Sequence, residues 1–334
     1  MSERQRRPWH DHRAPIGGTL YRVVRTKHGA FAVGSGGTAL ARTAGGAWRV
    51  VLGNGPGGGG NTLYGLDVTD DGTRVWFAGA SGTLGRYDYT DDATRSHVSP
   101  RAMTSTWSAV AVTGKAGSET VYLTNTSGEV LRGRVSDDHV EWTVASDDGD
   151  GDSLGSGASI TSLALDENGR PVVVNSAGRV FRERESGWEA VGIDGAGSTL
   201  NDVIVADQQA FVTTSAGRVF RRRGGTWHGT NVAPGALRGI DVRKGRVVAV
   251  GDSGRVYRRT GDGRWSQQAT PIGSALRDVS LGHPDLAVGS SGRVLTHAPP
   301  RSKQPSNPRQ SQTAQSQQPS GGRSRSARDG PKKP

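Results

Sequence analysis

Residues 249–257 read AVGDSGRVY, and residues 287–295 read AVGSSGRVL. The same phrase, a small or apolar run followed by Gly and an apolar pair, occurs seven times in the chain. Its seven glycines are Gly37, Gly82, Gly128, Gly178, Gly217, Gly254 and Gly292. They lie 45, 46, 50, 39, 37 and 38 residues apart, so the 334-residue chain is an array of units of about forty residues.

Each unit contains signals for four short strands. A Leu-x-x-Val pattern, as at Leu276 and Val279, marks the first strand, and a small-residue run before the repeated Gly ends the second. Glycine adopts the positive φ of tight turns, so the repeated Gly is predicted in the hairpin between the second and third strands. A period near forty with four strands per unit indicates one propeller blade per unit. The predicted fold is all-β, a single seven-bladed β-propeller.

Tryptophan marks the fourth, outer strand of most units. It stands 10 to 14 residues after the repeated Gly, at Trp48, Trp142, Trp188, Trp227 and Trp265. A large aromatic side chain there fills the space between adjacent blades, and its burial is worth about 3 kcal/mol or more. The second unit has His97 and Val98 in this region, and the sequence does not show what fills the space beside that blade.

The two ends of the repeat region complement each other. The seventh unit has no fourth strand, because a polar tail follows residue 298. Residues 9–23, WHDHRAPIGGTLYRV, match residues 265–279, WSQQATPIGSALRDV, with Trp, Pro-Ile-Gly, Leu and Val at identical spacing. Residues 8–14 are therefore predicted to complete the last blade by pairing with residues 292–298. The expected domains are a disordered segment 1–7, a propeller over 8–298, and a disordered basic tail rich in Ser, Gln and Pro over 299–334.

The net charge of +11 is unevenly distributed. Residues 301–334 carry eight Lys and Arg against one Asp, which gives +7. Within the repeats, residues 170–260 carry +7 and residues 66–169 carry −10. Such asymmetry can orient a charged partner. The tail could make weak contacts with nucleic acid or an anionic surface, or it could only be a solubilising extension.

Composition excludes several classes of chemistry and of location. The chain has no cysteine, so disulfides, thiolate metal sites and cysteine nucleophiles are ruled out. The start has charge without a following apolar stretch, and no apolar run is long enough to span a bilayer. We therefore expect a monomer located in the cytoplasm, and we expect no cofactor.

The repeat phrase, with a tryptophan about ten residues after it, resembles the repeats of photosystem II assembly-factor-like propellers. It is equally similar to the wider sialidase-repeat (BNR) and YVTN/WD40-like superfamily. The composition, poor in Lys and rich in Gly, Asp and Thr, is also similar to that of uncharacterised haloarchaeal propellers, although the basic tail departs from them. The sialidase Asp-box survives only as fragments such as residues 224–227, with Arg222 at the aspartate position.

The first strand of each blade lines the central channel of a propeller, so its polar residues form the principal candidate site. Two successive positions predict a ring at the channel mouth. Its candidate binding residues are Tyr21, Arg22, Tyr64, Asn201, Asp202, Arg238, Arg277 and Asp278. Tyr and Arg on adjoining blades could bind an acidic or aromatic group of a partner. The alternative is that these residues only line a water-filled channel.

Arginines recur at two positions of the third strand. They predict a basic stripe on blades four to six, formed by Arg179, Arg182, Arg218, Arg221, Arg255 and Arg258. The alternative is that each arginine stem covers an apolar blade edge while its head stays in water.

Two further patterns could suggest a metal site. The acidic run at 147–152 fails as a calcium loop, because Ser153 and Ser159 occupy the positions of the required Gly and Glu. His10 and His12 have no third ligand. We expect no metal.

These observations favour a non-enzymatic, protein-binding scaffold or assembly factor that uses a propeller face and the basic stripe. Its partner would be a protein, and an acidic protein would suit the cations of these surfaces. No pair of carboxylates is placed for glycosidase chemistry. The alternatives are a glycan-binding or sialidase-like carbohydrate-active propeller, and a nucleic-acid-associated scaffold that acts through residues 301–334.

Overall fold

The structure is a computed structural model, and it describes residues 8–145, 154, 158–193 and 195–298. In this part of the chain 28 strands form seven four-stranded antiparallel sheets. The sequence-based prediction of a seven-bladed β-propeller is confirmed. The predictions of disorder for residues 1–7 and 299–334, and the acidic run at 147–152, lie outside the described residues.

The blades are numbered by the order of their innermost strands. The strands of blades 1 to 3 are β2 Leu20–Thr26, β3 Gly29–Gly34, β4 Ala39–Arg42 and β5 Trp48–Leu52; β6 Leu63–Val68, β7 Arg74–Gly79, β8 Leu84–Asp88 and β9 Ala93–Ser96; and β10 Trp107–Thr113, β11 Thr120–Asn125, β12 Val130–Ser136 and β13 His139–Val144. The strands of blades 4 and 5 are β14 Ile160–Leu165, β15 Pro171–Asn175, β16 Val180–Arg184 and β17 Gly187–Ala190; and β18 Leu200–Ala206, β19 Gln209–Thr214, β20 Arg218–Arg223 and β21 Thr226–Asn231.

The strands of blade 6 are β22 Leu237–Arg243, β23 Arg246–Gly251, β24 Val256–Arg259 and β25 Trp265–Gln268, and those of blade 7 are β26 Leu276–Ser280, β27 Asp285–Gly289, β28 Arg293–His297 and β1 His10–Arg13. Within the described ranges four short 3-10 turns lie between strands, at Ser35–Gly37, Pro100–Ala102, Asp252–Gly254 and Ser290–Gly292. The described residues include no helix long and apolar enough to cross a membrane.

The front of the chain closes the ring, as the sequence match predicts. Strand β1 pairs antiparallel with β28, with His10 opposite Thr296 and Arg13 opposite Arg293. The Ala14 N–H donates to the Gly292 carbonyl (2.9 Å). Trp9, just before β1, is buried and packs against blade 6. The innermost strands contact one another around the whole circle, and β26 contacts β2. Closure therefore leaves blade 7 without an open edge at its third strand.

The core is divided among the junctions between blades. Seven apolar clusters are present, one at each junction. Six of these clusters include an outer-strand or pre-strand tryptophan, and each such tryptophan packs toward the preceding blade; these are Trp9, Trp48, Trp142, Trp188, Trp227 and Trp265. The predicted role of the tryptophan is therefore confirmed.

The junction of blades 1 and 2 has no tryptophan and is filled differently. Phe31, Phe77, Tyr87 and Tyr89 meet there; the Phe31 and Tyr87 rings are 5.4 Å apart, and the Tyr87 and Tyr89 rings are 4.9 Å apart. These rings come from the second and third strands and the turn that follows, which explains why the outer strand of blade 2 can lack an aromatic residue. The His97 ring instead packs 5.0 Å from Trp76 at the next junction.

The repeated glycines have the predicted role in the hairpins. All seven have positive φ, between 64° and 91°. At Gly217 a Cβ atom would also lie 2.0 Å from the Ala233 carbonyl oxygen, because the neighbouring loop runs directly over the turn. The phrase therefore persists for two reasons, backbone conformation and close approach of the next segment.

Candidate binding site at the channel entrance

A β-bulge at the same place in every blade shapes the channel. In blade 1, Leu20 pairs with Gly34 and Arg22 pairs with Val33, so Tyr21 between them has no partner residue in the ladder. The pairing of the innermost strand shifts at the corresponding residue in the other six blades. The seven bulged residues are Tyr21, Tyr64, Ser108, Thr161, Asn201, Arg238 and Arg277. A bulge re-aims a side chain, which is why two successive residues of one strand can both line the channel.

All seven bulged residues line one cavity of about 410 Å³. Thr126 and Ser159 also line it, and they belong to a hairpin turn beside Gly128 and to the loop before β14. The cavity therefore opens on the face that carries the repeated-glycine turns, which we call the entrance face. The cavity itself is called the entrance cavity.

The side chains that line the entrance cavity change from aromatic to polar to cationic around its circumference. On blades 1 and 2 the Tyr21 and Tyr64 rings meet edge to face, with centroids 5.0 Å apart. On blades 3 to 5 the polar side chains are tied to backbone carbonyls; the Asn201 amide, for example, donates to Leu237 (2.7 Å). On blade 6 Arg238 forms an ion pair with Asp252 (2.6 Å).

Arg277 differs from Arg22 and Arg238, the other cations that line the entrance cavity. Its guanidinium carbon lies 5.6 Å from the centre of the Tyr21 ring, in a cation–π contact. Its Nε is buried and has no hydrogen-bond partner among the described residues, and no carboxylate of those residues forms an ion pair with it. A cation held against an aromatic ring and left without an anion is suited to receive an acidic group.

A buried ion-pair network forms the floor of the entrance cavity. Arg22 Nη1 lies 3.1 Å from Asp202 and 3.8 Å from Asp278. Burial lowers the pKa of the Arg22 guanidinium, but the two carboxylates outweigh burial and raise that pKa overall. Arg22 is therefore a permanent cation whose charge is balanced within the channel.

Below the floor lies a second cavity of about 400 Å³, the inner cavity, and carboxylates tie its blades together. Asp67 accepts from the Val112 N–H of blade 3 (2.7 Å), and Asp278 accepts from the Val23 N–H of blade 1 (2.8 Å). Asp202 and Asp241 accept in the same way from Ile240 and Leu281 of the following blades. Each of these aspartates links its own blade to the next, which the sequence analysis missed; the recurring Asp before an apolar residue in the first strand was the available signal.

The environment of these aspartates changes their acidity. Burial raises the pKa of Asp67 to about 7, although the N–H groups of Val112 and Val68 partly oppose the change. Burial also raises the pKa of Asp278 to about 7, opposed by Arg22. Burial raises the pKa of Asp241 as well. Each of these carboxyl groups therefore keeps its proton to a higher pH than an exposed aspartate does.

The structure separates the predicted channel-mouth residues into two levels. Six of them line the entrance cavity: Tyr21, Arg22, Tyr64, Asn201, Arg238 and Arg277. Asp202 and Asp278 line the inner cavity, where Arg22 and backbone N–H groups occupy their oxygens. A binding role for the first group stays a prediction, whereas the contacts of the two aspartates are structural.

The arginines of the predicted basic stripe do not lie along one face. Arg218 packs over Phe220, toward blade 4, whereas Arg221, three residues further along the strand, packs over Phe211, toward blade 6. Arg182 is paired with Asp166. The remaining members, which are Arg179, Arg255 and Arg258, form no ion pair with the described residues. A binding role for the stripe stays a prediction.

The histidines of the closing strand are exposed or hydrogen-bonded. His10 is exposed, and His12 Nε2 lies 3.0 Å from the Thr296 hydroxyl. Among the described residues, no group of three or more His, Asp or Glu side chains is arranged to hold a metal ion.

No protein-family model and no curated protein matches this sequence. Solved structures do match. A structure of YCF48 bound to D1 peptide gives a TM-score of 0.70 at 14% identity, covering 90% of this chain and 98% of that one. YCF48 from Cyanidioschyzon merolae gives 0.65 at 15% identity, covering 88% and 99%. The WD40 β-propeller domain of Doa1 gives 0.66 at 12% identity, covering 85% and 94%. At these identities the likeness shows the fold, and activity has to be argued from the site.

Proposed function

We propose that this protein is a non-enzymatic scaffold or assembly factor that binds a segment of a partner protein in the entrance cavity. The observation that carries the proposal is Arg277, a cation stacked on Tyr21 that faces a cavity of about 410 Å³ and has no acid partner among the described residues. An acidic group would pair with the guanidinium, and an adjacent apolar or aromatic side chain would lie against Tyr21 and Tyr64.

The size of the cavity limits what can enter. A volume of about 410 Å³ accommodates a few side chains, in the range of ordinary ligand pockets, and not a folded domain. The partner would therefore insert a loop or a chain end. The structure of YCF48 with a D1 peptide, which has the same fold, supports a peptide as the ligand class by analogy.

The carboxylates of the inner cavity support the non-enzymatic part of the proposal. Asp67 accepts from two backbone N–H groups, those of Val68 and Val112, and Asp202 accepts from Arg22, Ser162 and Ile240. Their oxygens hold adjacent blades together. A general acid or base would instead need a carboxyl group that faces a substrate.

The finer parts of the proposal come from the sequence alone. They are a relationship to the photosystem II assembly-factor-like and sialidase-repeat propellers, a location in the cytoplasm, a monomeric state, and weak tethering through residues 301–334. The basic stripe would add electrostatic steering toward an acidic partner.

The test is a double substitution, Arg238→Ala with Arg277→Ala, in the full chain. Proteins that copurify with the native protein would be identified by mass spectrometry, and fluorescein-labelled peptides tiling the captured protein would be titrated by fluorescence anisotropy. We expect the best peptide to bind the double variant at least about tenfold more weakly, because each charge-assisted hydrogen bond is worth roughly 1.5–3 kcal/mol.

The matched control removes two exposed cations from the opposite face, Lys115→Ala with Arg134→Ala. It lowers the net charge equally and should retain wild-type affinity. Equal weakening in both variants would indicate general electrostatics. Wild-type affinity in the Arg238/Arg277 variant would refute the entrance site.

A further inference from the structure

The outer part of blades 5 and 6 has a concentration of cations that form no ion pair with the described acidic residues. Strand β20 reads RVFRRR and strand β24 reads VYRR, which gives Arg221, Arg222, Arg223, Arg258 and Arg259. We call these five residues the rim cluster. None of them forms an ion pair with a described residue; Arg221 donates only to the neutral amide oxygen of Gln209 (2.7 Å).

The equivalent position in other blades shows that this imbalance is specific to blades 5 and 6. Four residues after the repeated Gly, Arg86 pairs with Asp88 and Asp138. At the same position of the next two blades, Arg132 pairs with Glu183 and Arg182 pairs with Asp166. In blade 5 the same position is Arg221 and in blade 6 it is Arg258, and neither has an acid partner among the described residues. Three blades therefore neutralise this cation, and two leave it uncompensated.

The cations of the rim cluster are close enough to repel one another. Partial burial, together with the guanidinium groups of Arg259 and Arg223, lowers the pKa of Arg221. Arg222 Nε is buried without a hydrogen-bond partner among the described residues. Its side chain and that of Arg223 line a cavity of about 110 Å³ between blades 4 and 5. Asp166, which pairs with Arg182, and the exposed Glu167 line the same cavity. An external polyanion would relieve this repulsion.

In each of the two blades a tryptophan lies beside the arginines of the rim cluster. Trp227 pairs with Arg222 across the outer ladder and lines the same small cavity. Trp265 pairs with Arg259. Both tryptophans pack in blade junctions and are half-buried, so neither residue is fully shielded from solvent. Guanidinium groups with aromatic rings interleaved among them are what single-stranded nucleic acid binds, with phosphates on the cations and bases on the rings. An acidic peptide would use the cations without needing the rings.

We propose that the rim cluster, with Trp227 and Trp265, binds single-stranded nucleic acid. This site lies on the third and fourth strands of blades 5 and 6 and is independent of the entrance cavity. Because blades 5 and 6 are adjacent, the phosphates of one strand can contact β20 and β24 in succession.

The test uses the full-length protein and a fluorescein-labelled oligo-deoxythymidine of about twenty nucleotides, followed by anisotropy between about 50 and 200 mM salt. The variant is Arg221→Ala, Arg223→Ala and Arg259→Ala together. We expect affinity at about 100 mM salt to fall at least tenfold, and the slope of log K against log salt to decrease by about 2, since each lost phosphate contact removes about 0.7. The basic tail is present in both proteins, so its contribution is a common background.

The control replaces three exposed cations of the acidic half with alanine, at Arg101, Lys115 and Arg134. It should leave the salt slope within about 0.7 of the wild-type value. A second variant, Arg223→Glu, changes one exposed side chain and keeps the test valid if the triple variant melts early. Trp227→Phe should reduce the quenching of tryptophan fluorescence by the oligonucleotide.

Three results would overturn the proposal. The first is an unchanged salt slope in the triple variant. The second is equal weakening in the triple variant and its control. The third is displacement of the oligonucleotide by polyglutamate at equal charge, which would assign the rim cluster to an acidic protein.

Discussion

In the entrance half of the channel Arg277 is a cation that no described carboxylate pairs with. In the inner half Asp67 is an acid that no described cation pairs with, and it accepts hydrogen bonds from two backbone N–H groups instead. The same seven strands form both halves, and the residues of one half lie only a few positions along each strand from those of the other. The ion pairs of Arg22 with Asp202 and Asp278 lie between them.

The difference shows how one strand can serve two purposes. Residues on the bulge have no partner in the ladder, so their side chains can be polar and unpaired without loss of sheet hydrogen bonds. Residues beyond the bulge lie where adjacent blades touch, and their carboxylates satisfy N–H groups of the neighbouring strand. Substitutions of Tyr21, Tyr64 or Arg277 should therefore affect binding, whereas substitutions of the inner aspartates should affect stability.

The largest effect is expected from deleting the closing strand, because both halves of the channel depend on a closed ring. Deleting residues 1–14 removes β1 and Trp9, which exposes the edge of β28 and the apolar cluster between blades 6 and 7. We expect loss of cooperative thermal unfolding, because the buried tryptophan alone contributes about 3–5 kcal/mol. Differential scanning calorimetry measures this.

Deleting only residues 1–7 is the control, and it should melt like the full chain. A wild-type melting temperature after deletion of residues 1–14 would show that closure by β1 is unnecessary.

The next effect tests the comparison directly. Asp67→Ala leaves the N–H groups of Val68 and Val112 without an acceptor, and each buried unsatisfied group costs about 1–3 kcal/mol. We expect a loss of about 2–4 kcal/mol in unfolding free energy, measured by urea denaturation. Arg277→Ala, in the entrance half, should cost less than about 1 kcal/mol.

Asp67→Asn retains one acceptor oxygen, so its stability should fall between the wild type and Asp67→Ala. If Arg277→Ala destabilised the protein as much as Asp67→Ala, the assignment of the two halves to binding and stability would be wrong.

The smallest effect is a pH dependence confined to the inner half. The pKa of Asp67 and that of Asp278 are both raised to about 7, so folding takes up protons between about pH 4 and 7, and stability falls as pH rises through this window. His97 acts in the opposite sense below pH 6.5: burial, with Arg86 and Arg74, lowers its pKa to about 4, and the stability from the neutral ring is lost as pH falls.

The window from about pH 6.5 to 8 separates the titration of the inner-cavity aspartates from that of His97. We expect the melting temperature of the wild type to fall across it. Asp67→Asn should make the profile less steep, because Asp278 still titrates. Arg277→Ala should keep the wild-type profile. A stability that rises with pH between 6.5 and 8 would contradict the raised pKa of Asp67.

The sequence was sufficient for the fold because the determinants of a blade are local and repeated. The positive φ of the repeated Gly and the tryptophan of the outer strand recur in nearly every unit, and the match between residues 9–23 and 265–279 supplied the closing strand. The junction of blades 1 and 2 could not be predicted, because its aromatic rings come from two different blades and have no fixed spacing in the sequence.

The sequence predicted which residues line the site but not how the strands place them there. We identified Tyr21, Tyr64 and Arg277 by assuming that two successive residues of each first strand line the channel. In a regular strand, however, successive side chains point to opposite faces of the sheet. The bulge resolves this, and it is a property of the pairing between strands. The ties made by Asp67 and Asp241 were missed because each partner is a backbone N–H of another blade, which has no side-chain signature.

The seven bulges have a consequence for how such proteins can diversify. Each bulged residue projects into one shared space from a separate blade, and none of the seven has a ladder partner that constrains its identity. Thr161 and Asn201 donate to carbonyl groups of the next blade. Apart from these two, the lining can be changed one position at a time while the scaffold stays constant, much as loops vary on an antibody framework. Different residues at these positions would give many different recognition surfaces. In this chain the cavity has aromatic groups on one side and cations on the other.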